Sequence, residues 1–577
     1  MLSSPRIWYG EPKLVIGIDI GTTCSAVSFV YLTKGCKPEV QRVTEWPGQL
    51  ESERQCKLPS WIWYDSSNKP VKYGAEAVHE DPDVAQDKGF SLAKYFKLHL
   101  HPSDMAPSSG FKLDPLPRGV AISQVYTDFL RYLYAHTRNF FQDHVFRGQE
   151  IWQSLAPSMD IILAHPNGWG VREQGVLRSA ATAAGITTEA KSRQQITFVS
   201  EAEASVQFCV SQTSMLLSSG MNLVVCDAGG STVDTTVYNV VSAQPTLQLK
   251  EIKSSACIQS GAIFVDSGAE RWLRQRFRGA GLDQDDIDSC TVDGLDHFIN
   301  FTKPNFNGTE DTLDVKVGKR RLNVASINVQ AGRMKVAKST VKAFFDECVG
   351  PIISSVTSQS SGVYDPYYIL VGGFGDSPYL KSTMRTRFAA SSRLTTSNIP
   401  GAKAVADGAA IWAVAKSVVS RASRYSYGIQ IVTPYDQFNT EHVGRTIINS
   451  PSGVRKVGGG WSEIVAKDTV MSDSSSVRQP YYQEFYTINE VSSTISQTLY
   501  STLLSSAYEF MRDKSGAVYS DWTAVCDVSA NVQDIKSIMV RKYNPGVGPY
   551  FVLEFQIAIQ FGGTQLSAHI EWEQNVR

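Results

Sequence analysis

Two segments of this chain are near-copies of one device, and that repetition constrains the fold more than any other feature. Residues 14–19 (LVIGID) form an aliphatic run that closes on Asp19 and is followed by Gly21, Thr22, Thr23 and Cys24. Residues 223–227 (LVVCD) close on Asp227 and are followed by Gly229, Gly230, Ser231, Thr232 and Asp234. A third run, 368–372 (YILVG), opens into Gly373, Phe374 and Gly375. Apolar runs this short and this rich in Val, Ile and Leu predict strands buried on both faces. A tight turn at each strand end can bring backbone N–H groups up to a ligand.

Phosphate is the ligand that suits such turns. Gly21, Gly229 and Gly230 let the backbone approach an oxyanion without a Cβ in the way. The hydroxyls of Thr22, Thr23, Ser231 and Thr232 can donate to phosphate oxygens. Asp19 and Asp227 suit Mg2+, held mostly through water because that ion dehydrates reluctantly. A strand turn with a capping aspartate would explain either segment alone. It does not explain two of them with a third glycine turn behind another buried strand. The turns carry neither the P-loop pattern nor the dinucleotide fingerprint, so the expected nucleotide clamp is of another kind.

Amphipathic or Ala-rich stretches between these strands predict helices at 120–141, 170–185, 328–349 and 402–419. Strands alternating with helices make the fold class α/β. The pattern changes near Arg424. Beyond it come short β-prone pieces at 428–433, 446–448, 481–488, 524–529, 535–541 and 550–561, with partial alternation at 566–572. Residues 492–510 read equally as helix or strand. A β-rich domain is therefore expected over 426–577.

Composition narrows the function classes. Among 577 residues, 55 Lys and Arg oppose 56 Asp and Glu, a net charge of −1 without the basic excess of a nucleic-acid binder. With 42% hydrophobic and 19% charged residues, the chain is not a highly charged disordered protein. Nine scattered cysteines make no Cys-x-x-Cys pair, which argues against zinc and iron–sulfur sites and for reduced thiols. No signal-peptide pattern and no membrane-length apolar run is present. The expectation is a cytoplasmic protein with no membrane span and no nucleic-acid partner. His99 and His101 read as surface or packing residues. Glu201 and Glu203, two apart on an expected helix, point to different faces, so a paired-carboxylate glycosidase is excluded. Lys316, Lys319, Arg320 and Arg321 read as a solvated hairpin.

At this point the motifs resemble a known family. Residues 17–25 (GIDIGTTCS) resemble the first phosphate loop of the seventy-kilodalton heat-shock branch of the actin-like ATPases, and 227–234 (DAGGSTVD) its second. Residues 198–205 (FVSEAEAS) resemble the helix with its catalytic glutamate, 371–378 (VGGFGDSP) its adenosine loop, and 402–410 (AKAVADGAA) the helix after it. Residues 58–62 (LPSWI) and 73–77 (YGAEA) also sit where the family has similar segments. Residues 94–101 (KYFKLHLH) draw the resemblance toward the divergent twelve-type proteins of animals and fungi.

The resemblance implies a bilobal actin-like nucleotide-binding domain at 1–425, built of two ribonuclease-H-like lobes. Lobe I would cover about 13–218 plus the returning helix 402–420, and lobe II about 219–400. It implies ATP and ADP as ligands, Mg2+, and phosphoryl transfer to water. Asp19 and Asp227 would organise the metal and the attacking water. Glu201 would orient water or a metal ligand, and Asp234 would contact water or metal. Lys97, with Lys94 as runner-up, would reach the γ-phosphate. Gly21, Thr22, Thr23, Cys24, Gly229, Gly230, Ser231 and Thr232 would hold phosphates, and Gly261 would face them from the second lobe. Gly372, Gly373 and Gly375 would lie beside adenosine, with Phe374 either covering the base or packing in the core. Lys303 would contact the base. The β-rich domain would be a substrate-binding-like module for a polypeptide client or a regulatory protein.

Departures from the family accompany these expectations. No apolar-acidic linker precedes the β-rich region, and no long charged helical lid follows it. Cys24 stands where an aromatic is usual, and Asp376 where an arginine is usual. A slow chaperone-like ATPase is the first reading, a nucleotide-binding scaffold or signalling protein without useful turnover the second, and a small-molecule kinase the third.

Overall fold

The computed structural model describes residues 7–50, 55–102, 105, 111–212, 217–243, 247–388, 393–396, 404–415, 418–472, 475–490, 494–504, 508–531, 539–562 and 565–572. The fold is mixed α/β with several sheets. It divides into two compact units, Met1–Leu249 with Ser255–Ser417, and Lys250–Ser254 with Val418–Arg577.

The first unit repeats one strand arrangement. Lys13–Asp19 pairs antiparallel with Cys24–Leu32 on one side and parallel with Asp160–His165 on the other, and Ile196–Ser200 continues the parallel run. In a second sheet, Asn222–Ala228 pairs antiparallel with Thr232–Ser242 and parallel with Tyr367–Val371, which pairs parallel with Leu394–Thr396. The first two glycine turns are thus the bends of hairpins whose first strands are central in their sheets.

Both faces of these strands are covered, which is why they read as continuous apolar runs. On one face of the first sheet, Leu14, Ile16, Ile18 and Phe29 join Phe129 and Leu133 of the helix Ile122–His144 in one core cluster. On the other, Val15 and Val30 meet Ala409, Ala410 and Trp412 of the helix Ala404–Ala415. That helix lies so close that a Cβ at Gly17 would overlap Ala406 O. A Cβ at Gly408 would overlap Ala204 O on the helix Glu201–Gln212. The returning helix therefore fixes the height of the Glu201 helix against the sheet.

Several expected elements are revised. The stretch 328–349 is not one helix: Val329–Gln330 and Arg333–Ala337 are strands, and the helix is Lys338–Ser360. Arg333–Ala337 alternates exposed and buried residues with period two, the strand period. The helix runs through Gly350 and Pro351, the positions read as its stop. The returning helix ends at Ala415, and Val418–Ala422 is a strand, where a helix to 419 was expected. Residues 402, 403, 416 and 417 of that expectation lie outside the described residues.

In the second unit, a five-stranded antiparallel sheet has the order Ile447–Asn449, Arg455–Val465, Ser426–Pro434, Thr494–Thr502, Trp522–Asn531. A second sheet holds Ser476–Phe485, Gly548–Gly562, Val540–Asn544 and Gln565–Glu571. Ile429, Ile464 and Leu499 from the first meet Leu553, Phe555 and Ile557 from the second in one apolar core. The ambiguous 492–510 contains a strand, and residues 535–538 of an expected strand lie outside the described residues. No helix among the described residues is long and apolar enough to cross a membrane.

Candidate functional site

The two hairpin bends meet. Thr22 Oγ1 and Ser231 Oγ share a hydrogen bond of 2.6 Å, and both side chains are buried. The first bend is braced from behind by Ser60, whose hydroxyl donates to Gly21 O at 2.7 Å and lies 2.8 Å from Ser25 Oγ. The second closes on itself through Gly229 N–H to Thr232 O, 2.9 Å. The helix Ala262–Gly279 begins against it: Gly261 N–H bonds Ser231 O at 3.0 Å and Ile263 N–H bonds Gly230 O at 2.9 Å. Only glycine fits at 261, because a Cβ there would overlap Gly230 C and O. Cys24 opens the second strand of the first hairpin and is half-buried.

Buried aspartates flank both bends in the sequence. Asp19, Asp227 and Asp234 are 2%, 5% and 1% exposed. Asp227 and Asp234 face each other across their hairpin. Ser205 Oγ donates to Asp227 Oδ2 at 2.5 Å. Asn167 N–H donates to Asp234 Oδ2 at 3.3 Å, and Asp234 Oδ1 accepts no N–H or O–H among the described residues. Burial first, then the negative charge of Glu201, push the Asp234 carboxyl up to about 8; the Cys257 thiol and the Asn167 N–H pull the other way. Asp227 and Asp234 are hard oxygen donors of the kind Mg2+ takes, but the described residues hold no group of three or more His, Cys, Asp or Glu side chains that by themselves form a metal site.

Glu201 begins its helix directly after the strand Ile196–Ser200, at the same sheet end as the first bend. Lys97 sits on the single turn Phe96–Leu100 and is 3% exposed, with Nζ 2.5 Å from Glu201 Oε1. Lys94 lies instead over the rings of Trp61 and Tyr95, at 4.5 and 4.8 Å. Burial lowers its pKa against the pull of Asp266, Asp114 and Glu270. Of the two lysines, the geometry joins Lys97 to Glu201. Glu203 does turn to another face, where it accepts from Trp412 Nε1.

The third glycine turn abuts the carboxylates. Gly372 has φ +86°, and a Cβ there would overlap Ala228 O and Asp227 Oδ1. Phe374 N–H bonds Ala228 O at 2.8 Å. Gly375 also admits no Cβ, whereas nothing lies within 4 Å of a Cβ at Gly373. Phe374 is 3% exposed and stacks on Phe345 at 6.2 Å, so it packs in the core. Lys303, expected at the base, has its Nζ 2.7 and 2.8 Å from the two oxygens of Asp266. Asp376 pairs with Lys381 at 3.1 Å.

Sequence reasoning gave no role to Ser205, Ser60, Asn167 or Trp169. Ser205 had a signal, since it lies four residues after Glu201 on one helix face. Ser60 lay inside a quoted segment without a role. Asn167 and Trp169 follow the strand Asp160–His165 and carry no local signature of their own.

Curated relatives match much of the chain at low identity. Heat shock 70 kDa protein 12A of Mus musculus is 22% identical over 512 aligned residues, covering 73% of this chain and 72% of that protein. The Homo sapiens protein of that name matches with the same identity and coverage. Heat shock 70 kDa protein 12B of Homo sapiens is 21% identical over 323 residues, 46% of this chain and 45% of that protein. No protein-family model matches the chain. These likenesses suggest a nucleotide-binding protein of the seventy-kilodalton heat-shock-like class. They support a divergent member of the twelve-type branch.

Proposed function

We propose that this chain binds ATP and ADP with Mg2+ at the paired bends and slowly hydrolyses ATP, coupling nucleotide state to a polypeptide or partner held by 426–577. The observation that carries the reading is the meeting of two equivalent hairpin bends, joined at Thr22 and Ser231 and flanked in sequence by the buried Asp19, Asp227 and Asp234. The repeated strand order supports a bilobal actin-like architecture for residues 1–425, with the bends as the two halves of a clamp. The cytoplasm is the proposed compartment, on the scattered cysteines.

The roles follow from the chemistry of the side chains. Gly21, Gly229, Gly230 and Gly261 leave room for phosphate oxygens, and the Thr22, Thr23, Ser231 and Thr232 hydroxyls donate to them. Asp19 and Asp227 would hold the hydrated metal. Glu201 orients the attacking water, and Lys97 neutralises charge on the terminal phosphate. Gly372, Gly373 and Gly375 let backbone lie against adenosine. When bound, Mg2+ would supply charge neutralisation at the phosphates.

The scaffold reading also has an observation in its favour. Asp234, held protonated near neutral pH, is a poor base and a poor anion there. Calorimetry with Mg2+ and ATP, followed by single-turnover hydrolysis, tests both. Absence of binding would end the nucleotide reading. Binding with hydrolysis at the background rate would select the scaffold.

A further inference from the structure

The turn after the strand Asp160–His165 does more than close a connection. Trp169 N–H bonds Pro166 O at 3.0 Å, which shapes the turn. From it, Asn167 reaches Asp234 and Trp169 reaches the lysine segment. The Trp169 ring lies 5.6 Å from Lys97 Nζ, on the cation–π side of the indole. Its Nε1 donates to His101 Nδ1 at 2.8 Å. The indole can only donate, so Nδ1 must accept, and the neutral imidazole carries its proton on Nε2. Lys97 lies on the short turn and His101, four residues on, caps it, so Trp169 grips that turn at two points.

A lysine side chain has four rotatable bonds and gives up much rotamer freedom when fixed. At this position it is 3% exposed and has a carboxylate at 2.5 Å on one side and an aromatic ring on another. Tyr126 stands edge-on to Trp169 at 6.5 Å and His101 at 5.7 Å, so the ring itself has little freedom. His101 cannot titrate without breaking the indole bond, and burial together with the charge of Lys97 holds its pKa at about 3. Its Nε2 is buried with no partner among the described residues.

We propose that Trp169 and His101 are positioning residues for Lys97. The indole ring carries the ammonium, and the indole N–H locks the His101 tautomer and with it the turn that presents the lysine. The proposal rests on the reading of Lys97 as the group that meets the terminal phosphate. A residue that acts only through such a lysine affects ATP and spares ADP, whereas a core residue that only supports the fold affects both.

The test uses the full chain, with ATP and ADP affinities measured by calorimetry in Mg2+ and the imidazole tautomer read by NMR of histidine-labelled protein. Lys97→Met sets the scale, with ATP binding weakened about tenfold and ADP binding within about twofold. Trp169→Leu is expected to reproduce that split and to add nothing on top of Lys97→Met. Trp169→Phe keeps the ring and loses the N–H, so it is expected to release His101 from the Nε2–H tautomer while retaining most of the ATP preference. A wild-type His101 protonated on Nδ1 overturns the proposal without reference to nucleotide. So does Trp169→Leu that weakens both nucleotides equally, or neither, while Lys97→Met discriminates. Wild-type protein that binds neither nucleotide removes the functional reading, and the positioning role with it.

Discussion

Thr22 Oγ1 and Ser231 Oγ are 209 residues apart in the chain and 2.6 Å apart in space. Both hydroxyls are buried, at 5% and 1% exposure, so each depends on the other to replace lost water. Removing one partner costs more than a hydrogen bond, since the survivor stays desolvated. Thr22→Val and Ser231→Ala are each expected to destabilise the nucleotide-free protein by about 1–2 kcal/mol. The double variant should lose less than the sum, with a coupling of about 1 kcal/mol. Urea denaturation of the four proteins measures this. Strict additivity would mean that the two bends do not depend on each other.

The adenosine-side turn gives a sharper contrast between neighbours. Gly372 has φ +86° and no room for a Cβ, while Gly373 has open space at that position. Gly372→Ala should cost about 2 kcal/mol or more, because strain and overlap with the backbone of Ala228 add. Gly373→Ala should leave the melting temperature within a degree or two. Any effect of Gly373→Ala on nucleotide affinity would then report space used by the ligand. Paired melting curves and ATP titrations separate the two.

Much of this was legible because the strands of the first unit are covered on both faces. Their apolar runs and the residues at the bends need only local sequence to be read. What was hidden depends on distant partners. The strand Arg455–Val465 was not among the expected pieces; its three glycines lack β propensity, and Gly459 at φ +84° sits where the pairing with the neighbouring strand slips its register. Arg333–Ala337 was absorbed into a helix because the period-two pattern of five residues merges into the helix that follows it. Lys303 was assigned to the base from its motif alone. Its carboxylate partner, Asp266, lies 37 residues away on another helix.

That pair makes its own prediction. Burial raises the pKa of Asp266, and Lys303 and then Lys94 draw it back down. Lys303→Met removes the nearer cation and leaves a buried carboxylate poorly compensated. Loss of one member of such a pair costs about 3 kcal/mol. The loss should shrink at acid pH, where protonated Asp266 needs no cation, and Lys303→Met with Asp266→Asn should recover much of it. Denaturation at pH 5 and pH 8 checks both points. An equal loss for Lys303→Met at the two values would rule out the electrostatic cause.

Stability should also depend on His165. It is wholly buried in a neutral network: one ring nitrogen lies 2.8 Å from Pro166 O, and the other 3.1 Å from the Gln174 amide nitrogen. Burial is the main cause that lowers its pKa to about 4, and the charge of Lys97 adds to it. In the unfolded chain a histidine titrates near 6.5. Between those values the unfolded chain binds a proton that the fold refuses, so acid favours unfolding. The contribution is whole above pH 6.5 and falls away as the pH drops toward 4. At pH 5 the loss is about 2 kcal/mol relative to pH 8. His165→Gln cannot titrate, so its stability should fall less steeply over the same range, even if it starts lower at pH 8. Urea denaturation of both proteins at pH 8, 6.5 and 5 makes the comparison. Parallel curves would place the acid sensitivity elsewhere.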